Sequence, residues 1–454
     1  VQALIGVEYR EERLTNQADA TNQDGLLVGA GGPVLPTDAE TELFEVFFEG
    51  QVPLVQDLPF AEEITLTGAY RFSTYESFDD VLDVAGGDFD INTFSVGLSW
   101  VPVEDLRLRG QFQRAIRAPN IFELFAPLNT GLVNLTDPCS GLSPTATAAA
   151  CLNTGLPTSL FGLVPPDSGQ LNTFGGGNPD LEPEESDTFT VGAIIQPRQI
   201  DGLSISIDYF DIDVEDFITN IPAGDILSGC LASGDPSLCA FISRSPLDGS
   251  LTQDGSFIST NQQNIGGLST SGLDFQINYG FDAFGYGDVS LNYVSTVLFD
   301  LLTQSQPTSQ AFDCAGLFDN ACGTPNPEYR HNFTFSYNTP YNVRLSALWR
   351  YFAGTDAVGT LDTTNPDTPA ITTAIEDGAD PDVRDNQIGT ENFLDLAAFW
   401  DATDHLELRF GVNNVFDNNA PIVNFNTSGT NGNTFPSVFQ STGRFIFVGA
   451  RLSF

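Results

Sequence analysis

The feature that most restricts this chain is the order of its connections. Segments alternating apolar and polar residues recur from end to end, the pattern of strands with one apolar face. Ile64, Leu66, Gly68, Tyr70 and Phe72 alternate with Thr65, Thr67, Ala69 and Arg71. Val343, Leu345, Ala347, Trp349 and Tyr351 stand opposite Arg344, Ser346 and Arg350. The connections between such segments alternate strictly in length. Short ones fall near residues 55–60, 101–105, 197–202, 283–287, 339–342 and 401–405. Long ones fall near 15–40, 77–91, 118–185, 219–259, 303–327, 353–391 and 417–442. Alternation alone also suits a soluble sandwich. A propeller would need a repeat of fixed period, and the loops here are irregular. About 14 strands with all short turns at one end point to an all-β fold, a transmembrane antiparallel up-and-down β-barrel. That architecture has short periplasmic turns and long extracellular loops.

The last strand fits. Ile446, Val448, Ala450 and Leu452 alternate with Phe445, Phe447, Gly449, Arg451 and Ser453, and the chain ends at Phe454. A bare apolar edge strand invites aggregation in water, whereas in lipid a closed barrel satisfies both of its edges. The aromatic end resembles the C-terminal signal that the barrel-assembly machinery reads in bacterial outer-membrane proteins.

No window is long and apolar enough for a transmembrane helix, which a barrel does not need. The balance is 60 acidic to 16 basic residues, net −44, and every basic residue is arginine. This excludes nucleic-acid binding, which requires a positive surface. Cation selectivity and solubility of an acidic surface both account for it, and the second is the simpler. Val1 opens directly on a strand pattern with no preceding signal peptide, so the chain is expected to be processed or part of a longer product.

Six cysteines fall in three close pairs, Cys139/Cys151, Cys230/Cys239 and Cys314/Cys322, all in long connections. Disulfides pinning loops in an oxidising compartment are expected. Zinc is disfavoured by the spacing and by the presence of only His331 and His405. Neither histidine has a convincing Ser/Asp setting and no G-x-S-x-G occurs, so an enzyme is not expected. The acidic stretch Glu376, Asp377, Asp380 and Asp382 lacks calcium-loop spacing and reads as a solvated loop. No cofactor is expected.

Four stretches carry a resemblance. They are QRAIRAPNIFELF (113–125), GNPDLEPEES (177–186), DYFDIDVED (208–216) and GVNNVFD (411–417). Taken in this order they resemble TonB-dependent outer-membrane receptors. Within them Pro119 and Asn120 end a strand, with Glu123 just beyond. Asn178, Pro179 and Pro183 rigidify the return of a long loop into the wall. Asn413 and Asn414 end a strand near the rim. Arg114 and Arg117 either reach inward to carboxylates on a plug or loop, or satisfy lumen charge. All read as architecture.

The resemblance implies a barrel of about 22 strands with a plugged lumen, so roughly eight strands and a plug are expected to lie outside residues 1–454. It further implies active uptake energised by TonB, in the outer membrane and among its lipids. The small-molecule ligand would be a siderophore–iron complex, cobalamin, an oligosaccharide or a peptide. A passive porin-like or fatty-acid channel is the alternative. Phe161, Phe174, Phe312 and Phe318, on the long loops, either stack on a ligand such as a sugar or pack the loops internally, the plainer reading.

Overall fold

The structure, a computed structural model, describes residues 1–26, 33–304, 311–318, 322–357, 383–384, 387–423 and 433–453. Phe454 and the acidic stretch 376–382 lie outside them. Among the described residues no helix is long and apolar enough to cross a membrane.

The wall strands are β1 Gln2–Asn16, β2 Thr37–Leu58, β3 Ala61–Asp79, β4 Phe89–Val103, β5 Leu106–Arg117, β6 Glu184–Ile195 and β7 Leu203–Thr219. They continue as β8 Gln263–Asp282, β9 Asp288–Gln304, β10 Tyr329–Asn338, β11 Val343–Phe352, β12 Glu391–Thr403, β13 Leu406–Asn413 and β14 Phe445–Leu452. Each pairs with its neighbours in sequence order, giving one up-and-down sheet. All of these pairings are antiparallel. Among the described residues the sheet is open, with β1 and β14 at its two edges.

Register separates the two faces. One row crosses the sheet as Leu66, Leu98, Gly110, Val191, Tyr209, Leu273, Val297 and Tyr329. One residue along each strand, the row reads Thr65, Ser99, Arg109, Gly192, Asp208, Asp274, Thr296 and Arg330. A slip of one residue would exchange these faces, so the apolar pattern fixes the pairing. The apolar face stays exposed: Phe48, Tyr70, Phe94, Val96, Trp100, Phe189, Val191, Trp349, Trp400 and Phe410 all present surface.

The short turns tighten beyond expectation. β2 and β3 leave only residues 59–60 between them, where Phe60 takes a left-handed backbone (φ 61°). The long loops build structure of their own. Residues 118–183 and 220–262 interlock as a four-stranded sheet of Asn129–Asn134, Gln170–Gly175, Phe257–Ser259 and Ile242–Ser243. Helix Ala223–Ser233 covers it, packing Ile226 and Leu227 against Leu171, Leu251 and Ile258. That helix begins after Pro222 and stops at Gly234, whose φ of 66° is cheap for glycine.

Candidate functional site

The three disulfides join Cys139 to Cys151, Cys230 to Cys239 and Cys314 to Cys322. The first two staple the interlocked loops. Between them lies an ion pair that sequence reasoning missed. Arg244, its side chain 3 % exposed, meets Asp137, 1 % exposed, through Nη1 at 2.6 Å and Nη2 at 3.0 Å. Arg244 also donates to Thr154 Oγ1 and to the Gly249 carbonyl. A lone arginine in a loop carries no local sequence signal of burial, and its partner is 107 residues away.

Below this unit, the stretches 113–125 and 177–186 meet. Arg117 leaves the polar face of β5 and donates to both oxygens of Glu184 (2.6 and 2.7 Å) and both of Glu123 (2.8 and 3.0 Å). Glu184 also accepts the Ile218 backbone N–H at 2.8 Å. Asn120 is more than a turn residue. It caps helix Ile121–Phe125, its Oδ1 accepting from Phe122 and Glu123 N–H while Glu123 accepts from Asn120 N–H. The N-x-x-E spacing of this capping box was legible in the sequence. The second stretch closes on the first: Asn178 N–H donates to the Glu123 carbonyl, and Leu181 packs on Leu124, Phe125 and Ile218. Pro179 sits so close to Gly86 that a side chain there would overlap it. Pro183 precedes the buried Glu184 and is itself half-buried. Asn264 joins the re-entry to β8, accepting from Glu182 N–H and donating to the Glu182 and Asp216 carbonyls.

Arg114 departs from the inward reading. It is three residues from Arg117, so the strand's period of two puts it on the apolar face, opposite Phe94. There it pairs with Asp187 (2.8 and 2.6 Å) and Glu185 (2.8 Å), not with a loop or lumen group. At the other end of the sheet, Asn413 closes β13 opposite Phe445. Asn414 then turns the chain with φ 52°.

The loop phenylalanines are placed as packing groups. Phe318 is fully buried against Phe435, so it offers no ring face to a ligand. Phe174 lies on Phe257 with centroids 5.0 Å apart, and Phe161 packs against the Cys139/Cys151 core. Phe312, half-buried, belongs to a two-residue strand on β9. Phe318 is thus closed to a ligand, while Phe161, Phe174 and Phe312 pack within the loops and stay partly exposed, as the plainer reading has it. His331 sits on the apolar face, stacked on Tyr351 (5.0 Å) and edge-on to Trp349 (4.6 Å). Its ring is surrounded by aromatics, with Nδ1 3.1 Å from the Tyr329 hydroxyl and Ser295 as its cross-strand neighbour on β9.

Several concave spaces result. A groove of about 620 Å³ lies on the polar face, where Ser99, Arg109, Asp208, Asp274 and Thr296 face one another. A pocket of about 530 Å³ lies at the root of the interlocked loops, lined in part by Asn120, Phe122 and Glu123. Both are of ligand-binding size, ~300–1,000 Å³.

A family model described as TonB dependent receptor-like, beta-barrel matches residues 1–415. No curated protein sequence matches the chain. Solved structures of similar fold include the ferric enterobactin receptor PfeA from Pseudomonas aeruginosa, 17 % identical with TM-score 0.60, matching 100 % of this chain and 51 % of that one. The FrpB iron transporter from Neisseria meningitidis is 13 % identical with TM-score 0.56, covering 100 % and 52 %. The siderophore receptor PirA from Acinetobacter baumannii is 14 % identical with TM-score 0.51, covering 100 % and 55 %. At these identities the likeness is one of fold. The chain spans about half the length of these solved structures. The family match, running through thirteen of the fourteen consecutive wall strands and both stretches of the Arg117 junction, establishes that this chain belongs to the TonB-dependent receptor-like β-barrel family.

Proposed function

We propose that this chain forms wall and external loops of an outer-membrane transporter that takes up a scarce ligand using energy delivered by TonB. The observation that carries this reading is the open sheet. Its exposed apolar face suits lipid, but unpaired strand edges are too costly in a bilayer to persist. Strands from outside residues 1–454 would complete such a wall at about 22, a width that takes a plug. The long loops face the exterior, and the interlocked, disulfide-stapled pair forms a rigid capture surface. The polar row through Arg109, Asp208 and Asp274 faces the lumen. The last strand enters the barrel-assembly machinery, and TonB engages the part of the transporter that lies outside residues 1–454. The solved receptors and transporter of similar fold, described by their names as acting on ferric enterobactin, siderophores or iron, support uptake as the activity.

The test uses the full-length protein in its own outer membrane. Ligand-dependent growth or uptake should vanish on deletion of TonB or collapse of the proton gradient. Purified protein in liposomes should give no swelling with small sugars. Swelling, or uptake indifferent to TonB, would make it a passive channel instead.

A further inference from the structure

The pocket at the root of the interlocked loops has a chemistry of its own. Its walls come from both loops and from the end of the wall, where Asn220 follows β7. Asn129, Asn220, Gln262, Thr130 and Thr173 line it, together with Phe122, which is 51 % exposed. None of the lining residues is basic. The single acid among them, Glu123, is already engaged by Arg117 and by the Asn120 N–H. The space is therefore close to neutral while dense in groups that both donate and accept hydrogen bonds.

One of these groups is incomplete. Asn129 Nδ2 donates to the Pro127 carbonyl at 2.8 Å, but its Oδ1 is buried with no partner among the described residues. That oxygen is closed to solvent, so a ligand meets Thr130 and Asn220, which are exposed, rather than the Asn129 acceptor. The frame around it is rigid. Gly175 and Gly176 allow Thr260 and the 126–128 backbone to approach within distances no side chain would permit. A disulfide on each loop holds the two sides. Such a site is organised before its ligand arrives.

We infer that this pocket binds an uncharged, hydroxyl-rich ligand, a neutral oligosaccharide, with a sugar ring lying on Phe122 and its hydroxyls bonding to the exposed side chains of Thr130 and Asn220. A negatively charged iron chelate is a poor occupant, because no lining cation meets it and the chain carries a net charge of −44. The inference rests on the uptake reading, and names the class of its cargo.

The experiment is calorimetric titration of the full-length receptor in detergent with maltotriose, cellotriose, xylotriose and laminaritriose, and separately with ferric citrate. At least one trisaccharide should bind. Phe122→Ala and Asn220→Leu should each weaken it by at least about tenfold, and Phe122→Tyr should restore most of the affinity. Phe122 is exposed, so its removal leaves the fold intact, as heat-modifiable migration on gels would confirm. Binding of none of the four sugars, or binding untouched by both substitutions, overturns the inference. So does ferric citrate binding that Phe122→Ala abolishes. TonB dependence is scored separately in cells: its loss with sugar binding retained refutes the transport reading, and the reverse refutes only the sugar site.

Discussion

Arg109 on β5 and Asp208 on β7 form a two-point ion pair across an intervening strand, Nε to Oδ1 at 2.8 Å and Nη2 to Oδ2 at 2.7 Å. Gly192 of β6 lies between them in register with both. A Cβ at Gly192 would overlap Asp208 Oδ1, so the glycine is what lets the carboxylate cross. This is a close-approach requirement, since glycine otherwise weakens a strand.

Gly192→Ala should therefore cost about 1–3 kcal/mol, the range for overpacking, despite alanine's better backbone entropy. Adding Asp208→Ala removes the obstructing carboxylate. The double variant should be more stable than the sum of the two single losses predicts. Urea titration of the refolded protein in micelles measures all three. Simple additivity would mean that Gly192 does not serve this pair.

Arg117 is the hub of the loop root, and Glu184 depends on it. Glu184 is 6 % exposed and touches Arg117 and the Ile218 N–H. Arg117→Gln keeps some hydrogen bonding but strands the carboxylate. A loss of about 1–2 kcal/mol is expected, modest because the guanidinium is itself nearly half exposed. The loss should be local. Limited proteolysis should open residues 118–126 while the wall remains resistant. A wall that loosens equally would contradict this placement.

Much of this architecture was legible beforehand, for local reasons. Period-two alternation marked the wall strands, and turn residues marked which connections were short. The cysteine pairs are 12, 9 and 8 residues apart and lie in separate loops, so proximity along the chain matched proximity in space. What escaped is non-local. Parity alone separates Arg114 from Arg117, yet the partner of each depends on register with β6, more than sixty residues downstream. The union of loops 118–183 and 220–262 joins segments whose strand signals are only two to six residues long. The partner of Phe318 was not readable, because Phe435 comes from a loop over a hundred residues away.

The buried pair of Arg244 and Asp137 should be the weak point of that union. Arg244→Met leaves Asp137 charged and unpaired in a site closed to water, which costs about 3–5 kcal/mol. Replacing both, as Arg244→Met with Asp137→Leu, should recover a large part of the loss, because no stranded charge remains. Hydrogen exchange can read this locally. Protection should fall in Ala223–Ser233 and Phe257–Ser259 of the single variant, with β2 to β4 unchanged. Equal protection in the single variant and the parent would show that the disulfides alone hold the loops together.

Asn414 allows a sharper test, because two demands on one residue can be separated. It is fully buried, with a left-handed backbone at φ 52°. Its Nδ2 donates to the Asn418 carbonyl at 2.8 Å and its Oδ1 accepts the Asn418 N–H at 3.0 Å. Its own N–H donates to Asp395 at 2.7 Å, tying the turn to β12. Asn414→Gly keeps the backbone conformation and loses the two side-chain bonds, for about 1–2 kcal/mol. Asn414→Ala loses the same bonds and adds left-handed strain, for about 1 kcal/mol more. Thermal unfolding midpoints should therefore rank parent, glycine, alanine in descending order. Should alanine equal glycine, the backbone strain carries no weight here and the side-chain bonds alone explain the asparagine.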